Sequence, residues 1–137
     1  MIEIIDSFSL VSHEGPYELW PSKTKIIFEG VDTREEVAGY VVELQFKVGD
    51  HYLLITSYDC SFEESNSFIL LNQSFETITI TEIGQAYSSF LLEEHKVIND
   101  KEIVLKYDDD YFIKLKIQPN RRGLFSKKLS YKKCDGF

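Results

Sequence analysis

Between His51 and Ile83 lie three apolar runs, Tyr52–Tyr58, Phe68–Leu71 and Phe75–Ile83, each too short for an ordinary helix. Polar segments part them, first Asp59–Ser67 and then Asn72-Gln73-Ser74. Short runs rich in β-branched and aromatic residues, bounded by turn formers, predict a meander of antiparallel strands. The flanking chain extends the pattern. Tyr40, Val42, Leu44, Phe46 and Val48 alternate with Val41, Glu43, Gln45 and Lys47. That period of two predicts a strand buried on the first set and wet on the second. Val48-Gly49-Asp50 then turns the chain into the next run.

The remaining segments fit the same class. Met1–Val11 reads as a first strand with Ile2, Ile4, Phe8 and Leu10 on its apolar side. Two prolines, Pro16 and Pro21, make residues 12–24 a loop with room for one helical turn. Lys25–Val31 is strand-like. Thr33 and Glu36 stand three apart like a capping box, which predicts a single helical turn cut short by Gly39.

Gly84–Asn99 carries both a helical spacing (Ala86, Tyr87, Phe90, Leu91, Glu94) and a strand-like run, and its neighbours favour the strand. Turns at Asn99–Lys101, Asp108–Asp110 and Pro119–Gly123 separate strands at Glu102–Tyr107, Tyr111–Ile117 and Leu124–Lys132. About nine or ten short strands at this spacing predict one all-β domain over residues 1–137. The expected architecture is an antiparallel sandwich or partly open barrel with at most one or two helical turns.

Catalytic and metal-binding signatures are missing from the sequence. His13, His51 and His95 stand apart from each other and from the cysteines, so no zinc-type spacing occurs. Asp108-Asp109-Asp110 lacks the spaced ligands, central glycine and closing glutamate of a calcium loop, and adjacent residues of an extended chain point apart. It reads as a solvated hairpin tip. There is no nucleophile elbow, phosphate-cradling glycine loop or dinucleotide fingerprint. The expectation is a protein that is not an enzyme and takes no metal or cofactor.

Cys60 and Cys134 are the only cysteines and lie far apart, which suits free thiols in a reducing cytosol. The N-terminus has no basic region before its apolar residues, and no apolar run approaches the roughly 18 residues of a membrane span. A soluble, cytoplasmic protein is expected.

Charge supplies the functional expectation. Residues 1–113 hold 7 Lys and Arg against 22 Asp and Glu, whereas residues 114–137 hold 8 against one. The balances are −15 and +7. The basic end interleaves Lys127, Lys128, Lys132 and Lys133 with Phe125 and Tyr131, as single-strand binders do. An acidic remainder opposes a polyanion, so a lysine-guarded sheet edge, paired with acidic strands, is expected instead of nucleic-acid binding.

An acidic, compact chain without catalytic motifs steers towards a basic protein partner. In general character it resembles the immunity proteins of bacterial toxin–immunity systems, a likeness of class and not of motif. That likeness implies an inhibitor that neutralises a basic toxin domain such as a nuclease, whose phosphate-binding cleft is cationic. The expected contact residues are the acids Glu63, Glu64, Glu93, Glu94, Asp108, Asp109 and Asp110. Neighbouring aromatics, Tyr58, Phe62, Tyr107 and Tyr111, would serve as anchors. The alternative expectation is a small-ligand carrier with an apolar barrel cavity.

Overall fold

The structure, a computed structural model, describes residues 1–58, 63–86, 91–120 and 127–137. Its strands are β1 (Ile2–Ile4), β2 (Phe8–Leu10), β3 (Lys23–Phe28), β4 (Val31–Ala38), β5 (Val41–Val48) and β6 (His51–Ser57). They continue as β7 (Glu63–Leu71), β8 (Thr77–Ala86), β9 (Leu92–Val97), β10 (Glu102–Tyr107), β11 (Tyr111–Ile117) and β12 (Leu129–Cys134). Single 3-10 turns occupy Tyr17–Leu19 and Asp108–Asp110.

Three antiparallel sheets form, in the orders β1-β5-β6-β7-β8, β12-β11-β10-β9 and β2-β3-β4. Every order is linear and keeps two edge strands, so no closed barrel forms among the described residues. The five-stranded sheet is the middle layer. One of its faces, with Phe46, Leu53, Ile55, Phe68 and Leu70, packs on Ile103, Leu105, Ile113 and Leu115 of the four-stranded sheet. Its other face, with Leu54, Ile69 and Leu71, packs on Phe8, Ile26 and Val37 of the three-stranded sheet.

This sharing of β6 and β7 explains why Leu53-Leu54-Ile55 and Phe68-Ile69-Leu70-Leu71 are apolar without alternation. A strand covered on both faces needs an apolar residue at every position. All seven side chains are fully buried.

The 12 strands among the described residues exceed the expected nine or ten for two reasons. Met1–Val11 is not one strand but two in different sheets, because the chain crosses between layers around Gln45. The Gln45 carbonyl accepts the Ile5 N–H at 3.0 Å, and its side-chain Oε1 accepts those of Ser7 and Phe8. This also overturns the expectation that Gln45 lies on a wet face. Gln45 keeps the face opposite Phe46 and Val48, but Ser7 and Phe8 cover it there.

The second reason is that residues 32–36 are not a helical turn but part of β4. Thr33 Oγ1 accepts the Glu35 N–H, and Asp32 Oδ1 accepts that of Arg34. The capping side chains thus satisfy donors two residues on, at a bulge where Arg34 takes a φ of +65°. Likewise Glu63 and Glu64 are not in a loop: they pair with Ala86 and Gln85, extending β7 past the core. The Gly84–Asn99 stretch contributes the end of β8 and all of β9, its residues 87–90 lying outside the described part. The final strand falls later than expected, at Leu129–Cys134; residues 124–126 of the expected one, and 121–123 of the turn before it, lie outside the described residues. No helix among the described residues is long and apolar enough to cross a membrane.

Candidate functional site

Five rings meet where the 12–24 loop crosses the strand ends. Tyr40, just before β5, is the hub. Its ring centroid lies 5.1 Å from His13, 5.7 Å from Tyr17, 5.2 Å from Trp20 and 4.9 Å from Tyr58, all at steep interplanar angles. Tyr17 and Trp20 also touch each other at 5.1 Å. Edge-to-face arrangements suit the ring quadrupole, and each such pair adds about 0.5–1.5 kcal/mol beyond burial.

Polar groups around the rings are fastened to the backbone. Tyr40 Oη donates to the Pro21 carbonyl at 2.7 Å, Tyr58 Oη to Ser22 at 3.0 Å and Trp20 Nε1 to Gly15 at 3.1 Å. Burial raises the Tyr58 hydroxyl above the ordinary tyrosine pKa. Beneath the rings, Thr24 Oγ1 donates to the Gly39 carbonyl at 2.6 Å. The Thr24 proton being committed there, His13 Nε2 must carry the hydrogen it shares with Thr24 Oγ1 at 2.8 Å.

The 3-10 turn over this cluster displays Tyr17, 44% exposed, and Leu19, 77% exposed. Glu14 and Glu18 accompany them on the surface. Residues 1–22 hold four acids and no Lys or Arg. The sequence shows this site only as a proline-broken loop, because the rings belong to three separated segments. A hint was available: Tyr17 and Trp20 are large aromatics in a segment too irregular to bury them.

The residues expected to bind a partner divide into three places. Tyr58 joins the aromatic cluster. Glu93, Glu94 and Asp110 gather around Lys106, whose Nζ lies 3.8 Å from carboxylates of both Glu93 and Asp110, while Glu94 is its cross-strand neighbour. Asp108 belongs to the same end of the sheet, accepting the Leu91 N–H through Oδ1. Tyr111 carries the Lys133 ammonium 5.2 Å from its ring centroid. These acids therefore already face cations or backbone donors of their own chain.

Tyr107 is corrected outright. It is fully buried between the sheets, so its ring is core and not an exposed anchor, and desolvation drives its hydroxyl pKa far upward. Phe62 lies outside the described residues, as do the side chains of Glu63, Glu64 and Asp109.

The basic end also departs from expectation. The last strand, β12, is an edge strand, but its neighbour β11 is itself basic, and Lys114 stands directly opposite Lys132. Acid enters one strand further in, where Glu102 faces Lys116. The Asn99 side-chain amide, 2.8 Å away, holds the Glu102 carboxyl below the usual range, helped by Lys114, Lys116 and Lys132.

Among the described residues no group of three or more His, Cys, Asp or Glu could hold a metal. Grooves lined by described residues lie at the surface, one between β8 and β12, another beside Gly49 and Pro119. Fold and site together define a layered all-β protein bearing a fastened aromatic turn. No family model, curated protein or solved structure matches the chain.

Proposed function

We propose that this chain is a non-catalytic binding module that grips a basic protein partner through its aromatic turn. The observation that supports the reading is the cluster of Tyr40 with His13, Tyr17, Trp20 and Tyr58, tied to backbone carbonyls while Tyr17 and Leu19 remain displayed. Tyrosine and tryptophan dominate interface energetics because they bury much area at little entropic cost. Fixing the rings beforehand lowers the ordering cost on association further. Glu14 and Glu18 beside them, on a chain of net charge −8, supply attraction and orientation towards a cationic surface. An immunity-type inhibitor of a toxin nuclease is the role this chemistry suits best, since such an enzyme carries a lysine- and arginine-lined cleft.

The test is affinity purification from the source cell with the wild-type chain and with a Tyr17→Ala/Leu19→Ala variant, followed by titration against each purified candidate. A basic protein retained by the wild type, lost by the variant and released by salt is the expected result. Equal retention by both chains would remove the aromatic turn from the interface and with it this reading.

A further inference from the structure

The middle sheet ends at β8, and the sheet beside it ends at β12. Between these two edges runs a groove of about 790 Å³, lined by Ile78, Thr79, Thr81, Lys127, Lys128 and Tyr131 among others. Tyr131 closes its inner side, with its ring against Phe68 and its hydroxyl donating to the Glu82 carbonyl at 3.4 Å. That bond shows which way the β8 backbone faces. Glu82 directs its peptide groups away from β7, and the unshifted register through Thr81 and Ile80 gives Ile80 the same outward direction.

An edge with outward N–H and C=O groups is a template for another strand, and proteins ordinarily guard such edges with lysine or proline. β12 carries Lys132 and Lys133, whereas the ten residues of β8, TITITEIGQA, hold no Lys, Arg or Pro. Among the described residues lining the groove, the basic ones stand across from β8, at Lys127 and Lys128.

We propose that the β8 edge is a second binding site, which takes an extended acidic peptide segment of a partner protein as an added strand. Its backbone pairs with the N–H and C=O of Ile80 and with the N–H of Glu82, whose carbonyl already accepts from Tyr131, and its acidic side chains reach Lys127 and Lys128. Main-chain bonds supply affinity in this mode, and alternate side chains supply selectivity. The site shares no residue with the aromatic turn, although Glu82 lies within electrostatic reach of Tyr58.

Fluorescence anisotropy with a labelled peptide of alternating Glu and Val tests the assignment at low salt. Saturable binding is expected, about tenfold or more weaker for the Ile80→Pro variant, which removes one outward donor and leaves the β7 ladder whole. Lys127→Glu/Lys128→Glu should weaken it comparably. Should Ile80→Pro fold poorly, the wild-type chain with a peptide N-methylated at alternate residues gives the same reading, and lost binding is again expected. Absent binding, binding indifferent to N-methylation, or equal competition by a single-stranded oligonucleotide would each overturn the proposal. So would sedimentation showing a dimer that Ile80→Pro dissociates, since the edge would then already hold a second copy of the chain.

Discussion

Gln45 bonds Phe8 with both polar atoms of its side chain: Oε1 accepts the Phe8 N–H at 2.7 Å, and Nε2 donates to the Phe8 carbonyl at 3.1 Å. A peptide group on an adjacent strand would make the same pair, so the glutamine acts as one rung of ladder between two sheets. Oε1 takes the Ser7 N–H as well, at 2.8 Å. Gln45→Leu leaves these groups buried without partners, at roughly 1–3 kcal/mol each before relaxation. We expect a net loss of about 3 kcal/mol, read as a lower urea midpoint at unchanged slope.

Gly39 sits at φ +107°, a conformation that side chains rarely adopt. A Cβ there would stand 2.7 Å from Thr56 Oγ1 and 2.8 Å from Thr56 Cβ, both on a buried residue of β6. Gly39→Ala therefore combines backbone strain with a clash, and a cost of about 2 kcal/mol or more is expected in thermal or urea unfolding. Gly15, whose added Cβ meets nothing within 4 Å, is the control for strain alone.

Trp20 is the only tryptophan and reports on the aromatic cluster. Tyr40→Ala removes the ring that touches His13, Tyr17, Trp20 and Tyr58. The expected outcome is red-shifted Trp20 emission and a diminished near-UV dichroism, with the far-UV spectrum unchanged. Unaltered Trp20 emission would mean that Tyr40 does not organise the turn.

Glu102 gives a test by titration. Its carboxyl is held below the ordinary glutamate range, foremost by the Asn99 amide. A carboxylate depressed on folding stabilises the protein above its unfolded pKa, and that contribution disappears as pH falls through the folded value. The side chain is exposed enough for solvent to keep the effect small. NMR titration should place the Glu102 midpoint on the acid side of the other exposed glutamates, and Asn99→Ala should move it upward. An unmoved midpoint in Asn99→Ala would assign the depression to Lys114, Lys116 and Lys132.

Much of the fold is written locally. The alternation through Leu44, Phe46 and Val48 and the solid runs of β6 and β7 state how many faces each strand buries. What stays hidden is the hand-over between layers. Ile5–Ser7 looks continuous with its neighbours, and only the distant Gln45 makes it a crossing. Thr33 and Asp32 offer the side chains of a helix cap, yet the same oxygens serve a bulge, and pairing with β3 decides between them. The aromatic cluster is illegible for a similar reason. His13, Tyr40 and Tyr58 come together only once the three-stranded sheet is laid on the five-stranded one. The acids, by contrast, are visible as residues but not as pairs, and Lys106 claims Glu93 and Asp110 only through the β9–β10–β11 register.

The doubly covered middle layer sets an order for opening. If the three-stranded sheet peels away, Leu54, Ile69 and Leu71 meet water while the opposite half of the protein keeps its dry interior. Amides of β6 and β7 should then exchange with deuterium last, and those of β2, a three-residue edge strand of the outer sheet, among the first.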